Sequence, residues 1–188
     1  MGYVTILAAL APVAFVVTEA SRWVDDLSVG RAEVQLSIAG SRSRVVLEWA
    51  LSAVAGIIVV SLALTAGCMV GAASAGVELR ADSLMRTTAA AILLGSAICG
   101  VALLAVVVFR SGFAIGALAG ALGVGFFASV LAPVFRWPAW VVRLSPSDAF
   151  GTPYAAVPRP SGIALLAALA VIGASGAALV SRRRSSLS

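Results

Sequence analysis

The sequence predicts an all-α, polytopic membrane protein with about five transmembrane helices, and three observations predict it. Hydrophobic residues make up 61% of the 188 and charged residues 11%, with a mean hydropathy of +1.08, outside the range of soluble globular domains. The apolar residues come in long runs of about 20, the length needed to cross a hydrocarbon core of roughly 30 Å. Arginines stand singly or in small groups at the ends of those runs, where they orient helices in a bilayer. The length suits one membrane domain, residues 1–188, and leaves no room for a second catalytic domain.

Met1 to Val17 is an apolar run with Pro12 inside it, slightly short for a comfortable span. It lacks the positive start of a signal peptide, so it reads as an uncleaved span. Thr18 to Arg44 is the one long polar passage. At about 100° per residue, Trp23, Leu27, Val34 and Ile38 fall on one side of a helix and Arg22, Asp26 and Glu33 on the other. That pattern predicts an amphipathic surface helix, or two short ones hinged at Gly30. From these residues alone, a solvated connection and a docking surface for an energy-supplying partner are both open.

Val45 to Val70 is the second span, with Gly67 and Gly71 at GxxxG spacing, and a short link with Glu78, Arg80, Asp82 and Arg86 turns the chain back. The third span runs from about Leu84 to Phe109 and the fourth from Gly112 to about Phe135. Only Arg110 and Ser111 separate them, so they are expected to be antiparallel neighbours. Gly112, Gly116 and Gly120 make two successive GxxxG steps, which lets helices approach closely in lipid. The fourth span is therefore expected among other helices rather than facing lipid. In Arg136 to Pro160, Trp137, Trp140 and Tyr154 are interfacial anchors by type. Pro138, Pro146, Pro153, Pro158 and Pro160 forbid one continuous helix there. A short dipping helix over Pro138 to Leu144 with a bent return fits this stretch. The fifth span, Ser161 to Ser181, ends on Arg182, Arg183 and Arg184.

Orientation follows from arginine placement. With the tail in the cytoplasm, Arg22, Arg31, Arg42, Arg44, Arg110 and the three tail arginines lie inside, and Arg80, Arg86, Arg136, Arg143 and Arg159 outside, eight against five. The expectation is a multi-pass membrane protein with its C-terminus inside and its N-terminus outside. The net charge of +5 is spread over span ends, which argues for lipid headgroups and against nucleic acid.

Chemistry is constrained mainly by what is missing. There is no histidine, so Ser-His, Cys-His and His-metal sites are impossible, and no metal site is expected. Gly173-Ala174-Ser175-Gly176 spells the GxSG of intramembrane serine proteases, but without a base it reads as a small-residue packing patch. There is no lysine, so no Walker A sequence and no ATP hydrolysis by that route. Cys68 and Cys99 lie too far apart along their spans to pair and read as small buried hydrophobes. No ionisable residue occupies the centre of a span, which disfavours proton-coupled transport. The interior polar groups are Ser52, Ser61, Thr65, Ser96 and Ser129, fit either for lining a path or for bonding between helices.

The order of these parts, with GRAEVQLSIAGSRSRVVLEWAL after the first run and LSPSDAFGTPYAAVP before the last, resembles the permeases of type-2 ATP-binding-cassette exporters. More narrowly it is similar to the actinobacterial polyketide-antibiotic and multidrug exporter branch. Gly30, Glu33, Leu36, Ser37, Ser41 and Arg42 carry the resemblance, while Ala39 and Gly40 depart from the family's usual proline. The resemblance implies a non-enzymatic permease that exports lipophilic or amphipathic compounds. ATP would be bound by a partner ATPase subunit, with no cofactor on this chain, and a second permease unit, identical or different, would complete the assembly. It implies that Arg22, Asp25, Asp26, Arg31 and Glu33 meet the ATPase as a cytoplasmic coupling helix. It also implies an extracellular re-entrant segment containing Trp137, Pro138, Trp140, Pro146 and Pro153. The family's unit has six spans, so five is what remains if the first is lacking. The rival from another class is a non-transporting membrane scaffold that uses the glycine faces to bind other membrane proteins.

Overall fold

The computed structural model describes residues 2–28, 42–77, 81–109, 112–135 and 160–185, with the side chains of 10–27, 43–77, 81–109, 112–125 and 162–181. The described residues form five helices and no strand: α1 (Gly2–Ser28), α2 (Arg42–Ser74), α3 (Ala81–Phe109), α4 (Gly112–Phe135) and α5 (Pro160–Ser185). Three of them, α2, α3 and α5, are long and apolar enough over their described residues to cross a membrane, and residues 112–125 of α4 form a shorter apolar helix. The all-α membrane class read from composition is therefore what the chain adopts.

Helix α1 departs from the expected boundary. It is one continuous helix of 27 residues through Pro12 and on past Thr18, so the first part of the polar passage is not a separate surface helix. Two local causes are visible. Thr18 and Ser21 donate to the carbonyls of Ala14 and Val17, each at 2.9 Å, and Arg22 pairs with Glu19 at 3.0 Å, so the polar side chains are served within the helix. Meanwhile Val13, Val16, Ala20 and Trp23 are buried, and Leu27 packs against the same core. Their alternating spacing of three and four keeps one face turned inward across the change in polarity. The stretch 29–41, with Gly30, Val34 and Ile38, lies outside the described residues.

Helix α2 closes with a glycine cap. Gly76 has φ of +66°, Val77 N–H donates to Ala72 O at 2.9 Å and Gly76 N–H to Ala73 O at 3.2 Å. This double bond pattern satisfies the last carbonyls and requires the left-handed backbone that glycine adopts most cheaply.

Helix α3 is the centre of the bundle, packed against each of the other four, most extensively against α5 and then α1 and α2. Its inward residues alternate small and large, including Ala91, Leu94, Gly95, Ala97, Ile98, Cys99, Gly100, Ala102 and Leu103. The close approaches occur at its glycines. A Cβ on Gly100 would lie 2.8 Å from Ala170 O and 3.0 Å from Leu169 O, and one on Gly173 of α5 would run into the Gly100 backbone. One turn on, Gly176 faces Leu104. The GxSG stretch is thus a packing patch, as its lack of a base implied, and Ser175 is exposed with its hydroxyl on Val171 O. At Gly95, a Cβ would meet Ile57 of α2 at 2.9 Å and Pro12 of α1 at 3.2 Å, so three helices converge there.

The glycines singled out by GxxxG spacing behave differently. Among the described residues, nothing lies within 4 Å of a Cβ built on Gly67, Gly71, Gly112, Gly116 or Gly120. Among the described residues, then, they make none of the close contacts that their spacing suggested. Helix α4 is not buried among helices over its described side chains. Ile115 is buried and Leu118 and Leu122 pack on the core, while Phe113 and Val124 are exposed. The reason is angular: positions 115, 118 and 122 face inward, and Gly112, Gly116 and Gly120 lie roughly 120° away around the helix.

Enlarging the α3–α5 crossing therefore tests the fold. Gly173→Val or Gly100→Val is expected to destabilise the bundle by about 1–3 kcal/mol through overpacking, whereas Gly67→Ala and Gly116→Ala should leave it unchanged. Thermal unfolding of the detergent-solubilised protein would check this, and equal loss in both pairs would contradict the assignment.

Candidate functional site

The region best built for function is the end of the bundle where α1 finishes and α2 begins. Trp23 of α1 and Trp49 of α2 stack there, with ring centroids 5.9 Å apart and planes only 4° from parallel. Trp23 is buried and Trp49 half-buried, with Val45 and Val46 also buried beside the start of α2. A stacked pair of this kind contributes about 0.5–1.5 kcal/mol beyond the area it buries. It also fixes the level of the two helices against each other.

Around this apolar joint the charged residues point outward. Arg22 is 71% exposed in its pair with Glu19, and Arg44 reaches Glu48 at 3.4 Å with both side chains mostly exposed. Such pairs are worth at most about 1 kcal/mol each in water, so they dress the surface rather than hold the fold. Asp25 is exposed and Asp26 partly so. Three of the five residues implied at a partner ATPase, Arg22, Asp25 and Asp26, therefore share the last turns of α1. The other two, Arg31 and Glu33, lie outside the described residues, as do Trp137, Pro138, Trp140, Pro146 and Pro153 of the implied re-entrant segment.

Sequence reasoning placed Trp23 and Leu27 on one face, and missed Trp49 as the ring that Trp23 meets. No local signal marks that contact: the two rings, 26 residues apart in sequence, meet only because α1 and α2 lie side by side.

The interior hydroxyls serve mostly their own helices. Ser96 bonds to Ile92 O and Thr87 to Ser83 O, each at 2.8 Å. Thr65 of α2 and Thr88 of α3 meet across the helices at 2.5 Å, and each is also within reach of a carbonyl one turn back, Ser61 O and Leu84 O. With one proton per hydroxyl, only two of these three bonds exist at a time. Ser52 is exposed on the helix surface, and the Ser129 side chain lies outside the described set. Ser61 is buried, and its Oγ has no hydrogen-bond partner among the described residues. Cys68 and Cys99 are free thiols, Cys99 fully buried. Among the described residues no group of three or more acidic or cysteine side chains could hold a metal ion.

Comparison with known proteins adds one finding. The family model described as the multidrug efflux system permease Rv1217c, C-terminal domain, matches residues 1–182. No curated protein and no solved structure matches the chain.

The hydroxyl pair and the orphan serine predict opposite responses. Thr65→Val or Thr88→Val is expected to cost about 0.6–2 kcal/mol, the range for a hydrogen bond between membrane helices. Ser61→Ala removes a buried unsatisfied oxygen and should hold or raise stability, by up to about 1–3 kcal/mol. Chemical unfolding in mixed micelles distinguishes the two signs.

Proposed function

The chain belongs to the C-terminal-domain family of multidrug efflux permeases of the type-2 ATP-binding-cassette class, and from that premise we propose that it is the membrane-spanning part of an ATP-driven exporter. ATP is bound and hydrolysed on a partner ATPase subunit, and the polar passage from Thr18 to Arg44 receives the resulting movement. The observation that carries this reading is the continuity of α1: its polar end, with Arg22, Asp25 and Asp26, is the rigid end of a bundle helix rather than a loose connection. A push delivered there reaches the core directly, because the opposite face of the same turns carries buried Ala20 and Trp23.

Arg31 and Glu33 extend the same interface on this reading. A second permease unit completes the assembly, and the open faces at Gly67, Gly71, Gly112, Gly116 and Gly120 leave room for helices from outside the chain to approach. The segment with Trp137, Pro138, Trp140, Pro146 and Pro153 lies on the outer side, with the C-terminus in the cytoplasm. The exported compounds are lipophilic or amphipathic. The described core offers aliphatic groups and hydroxyls and no charged side chain, so it has nothing with which to pair a fixed charge.

Charge reversal tests the interface. Asp25→Arg combined with Asp26→Arg, and separately Glu33→Arg, is expected to reduce co-purification of a co-expressed ATP-binding-cassette ATPase subunit by tenfold or more, while membrane insertion is retained. A scaffold that works only through its helix faces would tolerate both changes. Undiminished ATPase capture would therefore remove the coupling reading.

A further inference from the structure

We propose that the Trp23–Trp49 stack is the joint that makes α1 and α2 move as one body when the segment between them is displaced, and that the two helices pivot together at Gly95 of α3. The proposal rests on the coupling reading above. Residues 29–41 enter the bundle at two covalent points, the ends of α1 at Ser28 and of α2 at Arg42. Without a cross-connection, a displacement there would be shared between two separate helices, each free to yield. The stack supplies that connection a short way inside both points. Its rings are nearly parallel, so they oppose separation while permitting small in-plane slip.

Further into the bundle the same two helices stay in contact. The Phe15 ring of α1 lies directly over Gly56 of α2, and Pro12 and Ile57 then reach the same glycine of α3, Gly95. From the stack to this crossing is roughly 16 Å along α1 and 12 Å along α2. Gly95 has no side chain to lock the crossing, and a Cβ there would press on both helices at once. Helix α3 is held from its other side by the backbone contact between Gly100 and Gly173 of α5. The arrangement is a clamped pair of helices resting on a fixed, smooth point. Beyond that point, α2 carries Ser61, whose Oγ has no partner among the described residues, and Thr65, whose bond to Thr88 such a tilt would alter. Trp23 and Trp49 are thus positioning residues: they act on the transport path through the helices they join.

Spin-label distance measurements test this on the full chain in lipid nanodiscs, with Cys68→Ala and Cys99→Ala as background. Labels on the exposed positions Ser21 and Leu47 report the α1–α2 separation, and labels on Ser21 and Phe109 report α1 against α3. In the intact chain and in Trp23→Phe with Trp49→Phe, the first distance should be narrow and unchanged when the ATPase subunit is added with a non-hydrolysable ATP analogue, while the second shifts. In Trp49→Leu, which keeps apolar bulk without a ring, and in Trp23→Ala, the first distribution should broaden about twofold. A distribution as narrow in Trp49→Leu and Trp23→Ala as in the intact chain overturns the clamp. A second distance that stays fixed on adding the nucleotide-loaded ATPase, with the stack intact, overturns the coupling reading and with it the transmission role.

Discussion

The bundle depends on how closely α5 can lie against α3. Lipid tails are as apolar as leucine, so there is little hydrophobic gain in bringing two membrane helices together, and contact must be won by close packing of atoms. Gly100 and Gly173 make that possible, since each occupies the space a side chain on the other would need. With α5 drawn in this far, α3 has one flank settled, and its remaining small residues face α1 and α2. Gly95 and Gly100 are five residues apart, which turns them about 140° from each other. One glycine therefore receives α5 and the other receives α1 and α2 together. Helix α4 meets no comparable notch among the described residues and touches the core along the line of Ile115, Leu118 and Leu122.

This explains which parts of the fold were legible in the sequence. Apolar runs bounded by charges mark spans because the bilayer demands length and low polarity, so the limits of α3, α4 and α5 were readable from Arg110, Ser111 and the flanking residues. The GxSG patch was legible as packing because an enzyme reading needed a histidine that the chain does not have. The other glycines that pack were not legible. GxxxG spacing identifies a smooth face but not whether the chain itself covers it. Here the chain uses Gly56, Gly95, Gly100 and Gly173, none of which stood out by repetition, and leaves Gly67, Gly71, Gly112, Gly116 and Gly120 open among the described residues. The run of α1 past Thr18 was hidden for another reason. Hydropathy changes sign there, while the inward stripe of Val13, Val16, Ala20 and Trp23 continues, and the stripe decides the helix.

At the candidate interface, the residue types were readable and their support was not. Arg22 and Asp26 were identifiable as charged positions because amphipathic spacing separates them from Trp23 and Leu27, and Asp25 was added to them by the family resemblance. What lies behind that group is Trp49, stacked on Trp23 from 26 residues further along the chain. A long-range ring contact leaves no local periodicity, so it becomes visible only when the two helices are placed side by side.

The interior bears on where the work of transport comes from. Among the described residues, the buried polar groups are hydroxyls, and apart from Ser61 they are tied to carbonyls of their own helices or to one another. A hydroxyl so engaged does not change charge with proton concentration, and it offers an incoming molecule little that lipid does not. Among the described residues this core carries no charged side chain with which to follow an ion gradient or pair with a charged compound. The family is named for multidrug efflux, and the proposed reading asks of this chain both a passage for apolar compounds and a source of energy. On the proposed reading its two requirements then fall on different parts of the chain. The uncharged core passes many compounds, and the polar end of α1, joined to α2 by two stacked rings, takes in the energy that the core itself has no means to capture.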